Sequence, residues 1–291
     1  MSSPLSHVSP MVTMMSDPCK HAIYQIFYNE QTRAENDAGF LGLDNSINPR
    51  PDWREYWPIR EYLLNHELSD DRFYGFLSPK FFLKTGLTSA DVHKFLDGSD
   101  HDIVTFSPCF DLSVIQPNVF QQAEGCHKGI YPILIEMFQR FDPALDVEEM
   151  VTSSLSSVFC NYFVAKKAVW DVWLSHCEKI FMECEENLTD LAVKLNGPVE
   201  YFASTLPAKV FIIERVIAYL MARHQRWRVK TFNPMQLPFA SSQLATFKKE
   251  LLVMDSLKIA YTQSGHKEYI SLYIEHRANL VNRLNAGFRR R

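Results

Sequence analysis

Between Pro117 and Gly129 the chain reads PNVFQQAEGCHKG, which gathers Asn118, Gln121, Gln122, Glu124 and His127 into one short stretch. These side chains bring amide donors and acceptors, a carboxylate and an imidazole to one place. A carboxylate beside an imidazole can move a proton, with Glu124 as base and His127 as donor or tuning partner. Gly125 and Gly129 loosen the backbone around them. A polar loop with Asn and Gly is also an ordinary connection, so the bland reading stands beside the functional one. Further along, Glu214 and Arg215 are neighbours inside an apolar run. A carboxylate there is a candidate for chemistry or for a structural ion pair. Asn161 sits in a strand-like run, where an unsatisfied amide costs about 1–3 kcal/mol, so it pairs with backbone or faces a ligand. Trp53 and Trp57 offer flat faces on which a base or sugar can stack, and Arg54 and Arg60 can hold a phosphate. The same aromatic residues also suit a helix entrance packed on the core.

The elements that must position these groups alternate. HAIYQIFYN (21–29), FYGFLSP (73–79) and DIVTFSP (102–107, with its final Pro108) read as strands, rich in β-branched and aromatic residues. VFCNYFVAK (158–166) and WRVKTF (227–232) read as two more. Helical spacing predicts a helix opening at Pro58, a second capped by Ser89 and running to Leu96, and a third over Ile130 to Phe141. AVWDVWLSHCEKIFMECEEN and KVFIIERVIAYLMARH add two long ones, and residues 244–261 and 267–284 two terminal ones. Glu30 to Asp52 is polar and aperiodic, a long functional loop or a disordered one. The β, helix, β, helix, β rhythm is that of a mostly parallel sheet, whose loops hold ligands.

Composition narrows the class. With 291 residues, 46% hydrophobic and 22% charged, the chain is globular, and a net charge of -4 gives no basic footprint for nucleic acid. The Arg289, Arg290, Arg291 run is a solvated end or a peripheral contact for acidic lipid or phosphate. Six cysteines without CxxC spacing point to reduced thiols in a cytoplasmic protein and away from structural zinc. VFIIERVIAYLM is too short and too charged to span a bilayer. The first eighteen residues lack a basic region followed by an apolar core and read as a flexible tail.

The order of DNSINPRPDWREYWPIREYL, FYGFLSPKFFLKTGL, DIVTFSP, NVFQQAEGCHKGI, CNYFVAKKAVWDVW and KVFIIERVIAYLM resembles a group of bacterial glycosyltransferases of polysaccharide or lipopolysaccharide clusters. More loosely, it is similar to a glycosyltransferase-like family with a GT-A-type fold. The likeness spans about Ile23 to Phe232 and rests on order and spacing: Tyr74 and Gly75, Asp102 and Ile103, Gln121 and His127, Asn161 to Trp173, Glu214 and Arg215. It implies an α/β fold, a GT-A-like, Rossmann-like mixed sheet, mostly parallel, flanked by helices with a C-terminal helical extension. The implied division is a tail over 1–20, a catalytic domain over 21–240, and helices with a basic tail over 241–291. The resemblance also implies a nucleotide-sugar donor and a glycan or lipid-linked acceptor in cell-surface polysaccharide synthesis, and the expected place is the cytoplasm or, through the basic C-terminus, the inner face of the membrane. Glu124, His127 and Glu214 then become catalytic candidates. Trp53, Arg54, Trp57, Arg60, Asn118, Gln121, Gln122, Asn161 and Arg215 become substrate contacts. Many such enzymes hold Mn2+ or Mg2+ on a DxD at a strand end. Here Asp100, His101, Asp102 precede their strand and read as a turn, so Asp111 is the better placed metal candidate, Asp102 the weaker, and metal dependence stays open. A non-catalytic carbohydrate- or nucleotide-binding protein, a scaffold docking through the C-terminal helices, and a sugar-phosphate phosphotransferase are the rival expectations.

Overall fold

A computed structural model describes residues 20–224 and 226–288. The chain runs β1 (His21–Phe27), α1 (Glu30–Ala34), β2 (Leu41–Asp44), α2 (Tyr56–Asn65), β3 (Phe73–Leu77), α3 (Phe81–Thr85), α4 (Ser89–Leu96) and β4 (Ile103–Thr105). It continues through α5 (Phe110–Ile115), α6 (Val119–Cys126), α7 (Tyr131–Phe141), β5 (Phe163–Lys166), α8 (Lys167–Glu186) and α9 (Asp190–Asn196). A hairpin of β6 (Pro198–Tyr201) and β7 (Ser204–Pro207) leads into α10 (Ala208–Arg223), β8 (Val229–Thr231), α11 (Lys248–Ser264) and α12 (Lys267–Phe288).

Six strands form one sheet in the order β2-β1-β3-β5-β4-β8. β1 pairs in parallel with β2 and β3, β4 in parallel with β8, and β5 runs antiparallel between β3 and β4. This is the mixed, mostly parallel α/β sheet flanked by helices that the sequence leads one to expect. Strand periodicity divides the core. Ala22, Ile26, Tyr74, Phe76, Ile103, Phe163 and Ala165 point to one face, where they pack with residues of α8 and α10. Ile23, Phe73, Leu77, Val104 and Val164 point to the other, under α3 and α4. Burial of both faces explains why β1 and β3 read as near-continuous apolar runs. Gly75 is required at the centre of β3, because a Cβ there would lie 2.8 Å from Val164 Cγ2.

Several local readings change. The 158–166 strand begins only at Phe163, since Cys160 and Asn161 adopt left-handed φ values of 60° and 54° and leave the extended conformation. The helix expected from Pro58 starts at Tyr56, and α4 is capped by Thr88, whose side chain accepts from Asp91 N. The aperiodic stretch after Asn29 contains α1 and the edge strand β2, too short to show a period. PNVFQQAEGCHKG is mostly helix: Asn118 caps α6, which runs to Cys126.

The C-terminal helices dock on α5. Lys258 Nζ donates to the carbonyls of Ser113 and Gln116, both at 2.7 Å, Tyr273 Oη to that of Val114 and Arg277 Nε to that of Ile115. Four carbonyls that the end of α5 leaves without helical partners are thereby satisfied. Leu252 and Val253 of α11 and Leu272 and Ile274 of α12 are exposed. Among the described residues no helix is long and apolar enough to cross a membrane, and Arg289 to Arg291 and the tail before Lys20 lie outside them.

Candidate functional site

The chain leaves β1 for β2 on one side and then crosses to β3 on the other, so the connections diverge at the carboxyl ends of β1 and β3. A crevice must open there, the place where open α/β sheets bind ligands. A cleft of about 300 Å3 occupies it. Ile26 and Tyr28 come from the end of β1, Ser78, Pro79 and Lys80 from the end of β3, and Lys84 from α3. Cys160 and Asn161 enter from the turn before β5, and Phe211 and Glu214 from α10. Tyr201 and Leu206 of the β6–β7 hairpin close one side, and Asn45, Asn48 and residues 53–56 another. A second cleft of about 460 Å3 shares Asn45 and Asn48 and continues along Trp57 and Tyr62.

Backbone strain concentrates here. Asn48, Arg54, Cys160 and Asn161 are four of the seven described non-glycine residues with positive φ, and all four line the cleft. Such conformations cost of order 1–3 kcal/mol each, and they persist where the surrounding structure holds them.

Glu214 is the cleft's titratable centre. Burial, reinforced by Glu55, raises its carboxyl above the ordinary range, while Arg215 and Lys84 oppose the shift. Its Oε2 accepts from Arg215 NH1 at 2.7 Å, yet a quarter of the side chain remains open to the cleft. Lys84 Nζ lies 3.0 Å from Cys160 Sγ. Burial pushes the Cys160 thiol up to about 11, so at neutral pH it is an uncharged neighbour. Burial also works against the Lys84 ammonium, but its pKa is held above the usual value because Cys160 and Tyr162, once ionised at high pH, and Glu214 place negative charge beside it. Asn161 is 7% exposed, and its Oδ1 has no hydrogen-bond partner among the described residues. A buried amide oxygen left unpaired in a cleft is an acceptor suited to a ligand hydroxyl or amine.

The 117–129 stretch lies behind this cleft, not in its lining. Glu124 accepts from Gly129 N and Tyr131 N, both at 2.9 Å, and so ties the end of α6 to the start of α7. Asn118 accepts from Phe120 N and Gln121 N and donates to the carbonyls of Val147 and Met150. Gln122 Oε1 accepts from Arg215 NH2 at 3.1 Å, and Arg215 in turn holds Glu214. His127 stacks on Phe211 with centroids 3.6 Å apart, and its Nδ1 sits 3.0 Å from the Glu200 carbonyl. That carbonyl needs a donor, so Nδ1 carries the proton. Burial and the nearby Arg215 push the imidazole down to about 4. A neutral ring does not serve as a cation for a diphosphate. Gln121 is half-buried on α6, outside the cleft lining.

The aromatic and basic segment divides. Arg54 lines the cleft, whereas Arg60 makes a two-pronged pair with Glu178 at 2.7 and 2.8 Å and packs over Phe181. Trp53 is fully buried in the cleft wall with its indole N–H on Glu185, and Trp57 faces the second cleft. Both metal candidates are engaged elsewhere. Asp111, fully buried, accepts from Ala240 N and Ser241 N, and Asp102 accepts from Arg228 N at 2.7 Å. Residue type alone does not mark Lys80, Lys84, Asn45 and Asn48 as cleft residues. The signal for the two lysines is positional, since both follow closely on the strand FYGFL.

The fold and the cleft define a mixed, mostly parallel α/β protein with its crevice at the switch point. No known family model matches the chain, and no curated protein matches it. Among solved structures, an apo structure of WbbM, described as a bifunctional glycosyltransferase, is similar with a TM-score of 0.42 and 16% identity. The match covers 76% of this chain and 46% of that one, so the present chain spans less than half of its length.

Proposed function

We propose that the protein is a glycosyltransferase that moves a sugar from a nucleotide-sugar donor to a hydroxyl of a glycan or lipid-linked acceptor in cell-surface polysaccharide synthesis. The observation that carries this reading is the switch-point cleft, whose lining brings together the Glu214 carboxylate, Lys80, Lys84 and Asn161 with its unpaired Oδ1. Glycosyl transfer needs a base for the acceptor hydroxyl, charge stabilisation for the leaving diphosphate and hydrogen bonds that fix the sugar. A carboxylate raised toward neutrality is a stronger base than an ordinary one, and Glu214 has that property. In a direct displacement it takes the acceptor proton while the acceptor oxygen bonds to the anomeric carbon and the diphosphate departs with the electron pair. Asn161 Oδ1 accepts from a sugar hydroxyl, and Tyr28 and Tyr201 supply flat walls. The adjoining groove along Trp57 gives room for the rest of a two-part substrate.

Incubation with a set of nucleotide sugars and acceptor glycans, with released nucleoside diphosphate as readout, tests the reading. Glu214→Gln is expected to abolish release and keep donor binding. Unchanged turnover in that variant removes Glu214 as the base, and a wild-type chain that binds no nucleotide sugar sinks the reading itself.

A further inference from the structure

We infer that the leaving diphosphate is seated on Lys84, Lys80 and Arg54, and that it is bound without a divalent cation; the inference rests on the glycosyltransferase reading and extends it to the leaving group. The side chains present do not fit the Mn2+ or Mg2+ that the fold resemblance suggests. Asp102 and Asp111 hold backbone amides, and Glu214 has one oxygen on Arg215. Among the described residues no group of three or more His, Cys, Asp or Glu side chains gathers in a way that could hold a metal. Glu55 and Glu214 are the two carboxylates lining the cleft, against the three cations Arg54, Lys80 and Lys84. A dication entering there meets an ammonium already in place.

Lys84 is the centre of the subsite. An ammonium carries three N–H donors, and among the described residues this one has a single side-chain partner, the thiol of Cys160, a weak acceptor. Two donors are left for a ligand with strong acceptors. Arg54 and Lys80 are exposed at the same cleft and make no side-chain hydrogen bond among the described residues. A diphosphate supplies the missing acceptors and the balancing charge. When the bond from the anomeric carbon to the phosphate oxygen breaks, negative charge grows on that oxygen, and fixed cations stabilise it without reorganisation.

Calorimetric titration of the full chain with inorganic pyrophosphate and with uridine, guanosine and adenosine diphosphates, in EDTA, tests this. Binding is expected to persist in EDTA, to weaken about 10-fold or more in Lys84→Met, and to recover in part in Lys84→Arg. Should Lys84→Met fail to fold, the exposed pair Lys80→Ala and Arg54→Ala still weakens binding, several-fold each. Binding that arises only on addition of Mn2+ or Mg2+, or that is unchanged in the Lys80→Ala/Arg54→Ala double variant, overturns the inference. Failure of the parent reading is separate: transfer that needs added metal overturns the diphosphate subsite alone, whereas metal-free pyrophosphate binding with no sugar transfer removes the transferase and keeps the anion site.

Discussion

Arg54 combines a strained backbone with a side chain proposed to hold the diphosphate, and replacing it by glycine separates the two. Its φ of 50° and ψ of -133° fall where a Cβ collides with the backbone and glycine does not. Holding a non-glycine residue in such a region costs about 1–3 kcal/mol. Glycine loses more chain entropy on folding, about 0.5–1 kcal/mol. The side chain is exposed and makes no hydrogen bond among the described residues, so little packing is lost with it. Arg54→Gly is therefore expected to stabilise the protein by about 0.5–2 kcal/mol, a rise in Tm of a few degrees for a chain of this size. Arg54→Ala is the control, because it removes the same cation and keeps the Cβ. Both variants should bind pyrophosphate equally less well, and only the glycine variant should be more stable in urea and calorimetric melts. If the two are equally stable, no strain is held at this turn. A glycine variant that is more stable and binds pyrophosphate as the parent does would remove Arg54 from the anion subsite.

Two further expectations follow from groups outside the cleft. The folded state keeps His127 neutral down to about pH 4, while the unfolded chain protonates it near its ordinary value. The unfolded state thus binds more protons in between, and stability falls as pH drops from about 6.5 to about 4. Burial depresses His21 and His176 in the same direction, so His127→Gln should flatten part of this acid limb in urea melts between pH 4 and 7, and an unaltered limb would refute the assignment. Lys258→Met leaves the carbonyls of Ser113 and Gln116 without their donor and relieves the burial of an amine. A net loss of about 2 kcal/mol is expected from urea unfolding, and a neutral result would mean that the C-terminal helices do not secure the end of α5.

How far the sequence reveals this molecule depends on element length and on what competes with local pattern. β1, β3, α7 and α10 are long enough, and apolar enough, for period and burial to agree, and the structure places them within two residues of the reading. β2 and the β6–β7 hairpin have four residues per strand and mixed burial, so no period develops in them. VFCNYFVAK has strand composition throughout, but the left-handed pair Cys160 and Asn161 turns its first half out of the sheet. That turn is what presents Asn161 to the cleft, so the local departure from strand pattern and the candidate ligand contact have one cause.

The polar stretch 117–129 shows why residue type alone marks a site poorly. Buried polar groups in folded proteins are hydrogen-bonded, and dense clusters of them arise wherever backbone ends need partners. Asn118 meets that description: its amide accepts from two backbone N–H groups and donates to two carbonyls, with nothing left for a ligand. Asn161 is also buried, and its Oδ1 has no partner among the described residues. Two asparagines of one chain thus have the same chemistry and opposite prospects, and unmet hydrogen-bonding capacity separates them. By that criterion α6 acts through other residues. Gln122 fixes Arg215, Arg215 fixes Glu214, and His127 backs Phe211, so the helix positions one wall of the cleft. Lys84, with a thiol as its partner, and Asn161, with an acceptor unmet, keep hydrogen-bonding capacity at the cleft, as do the exposed Arg54 and Lys80.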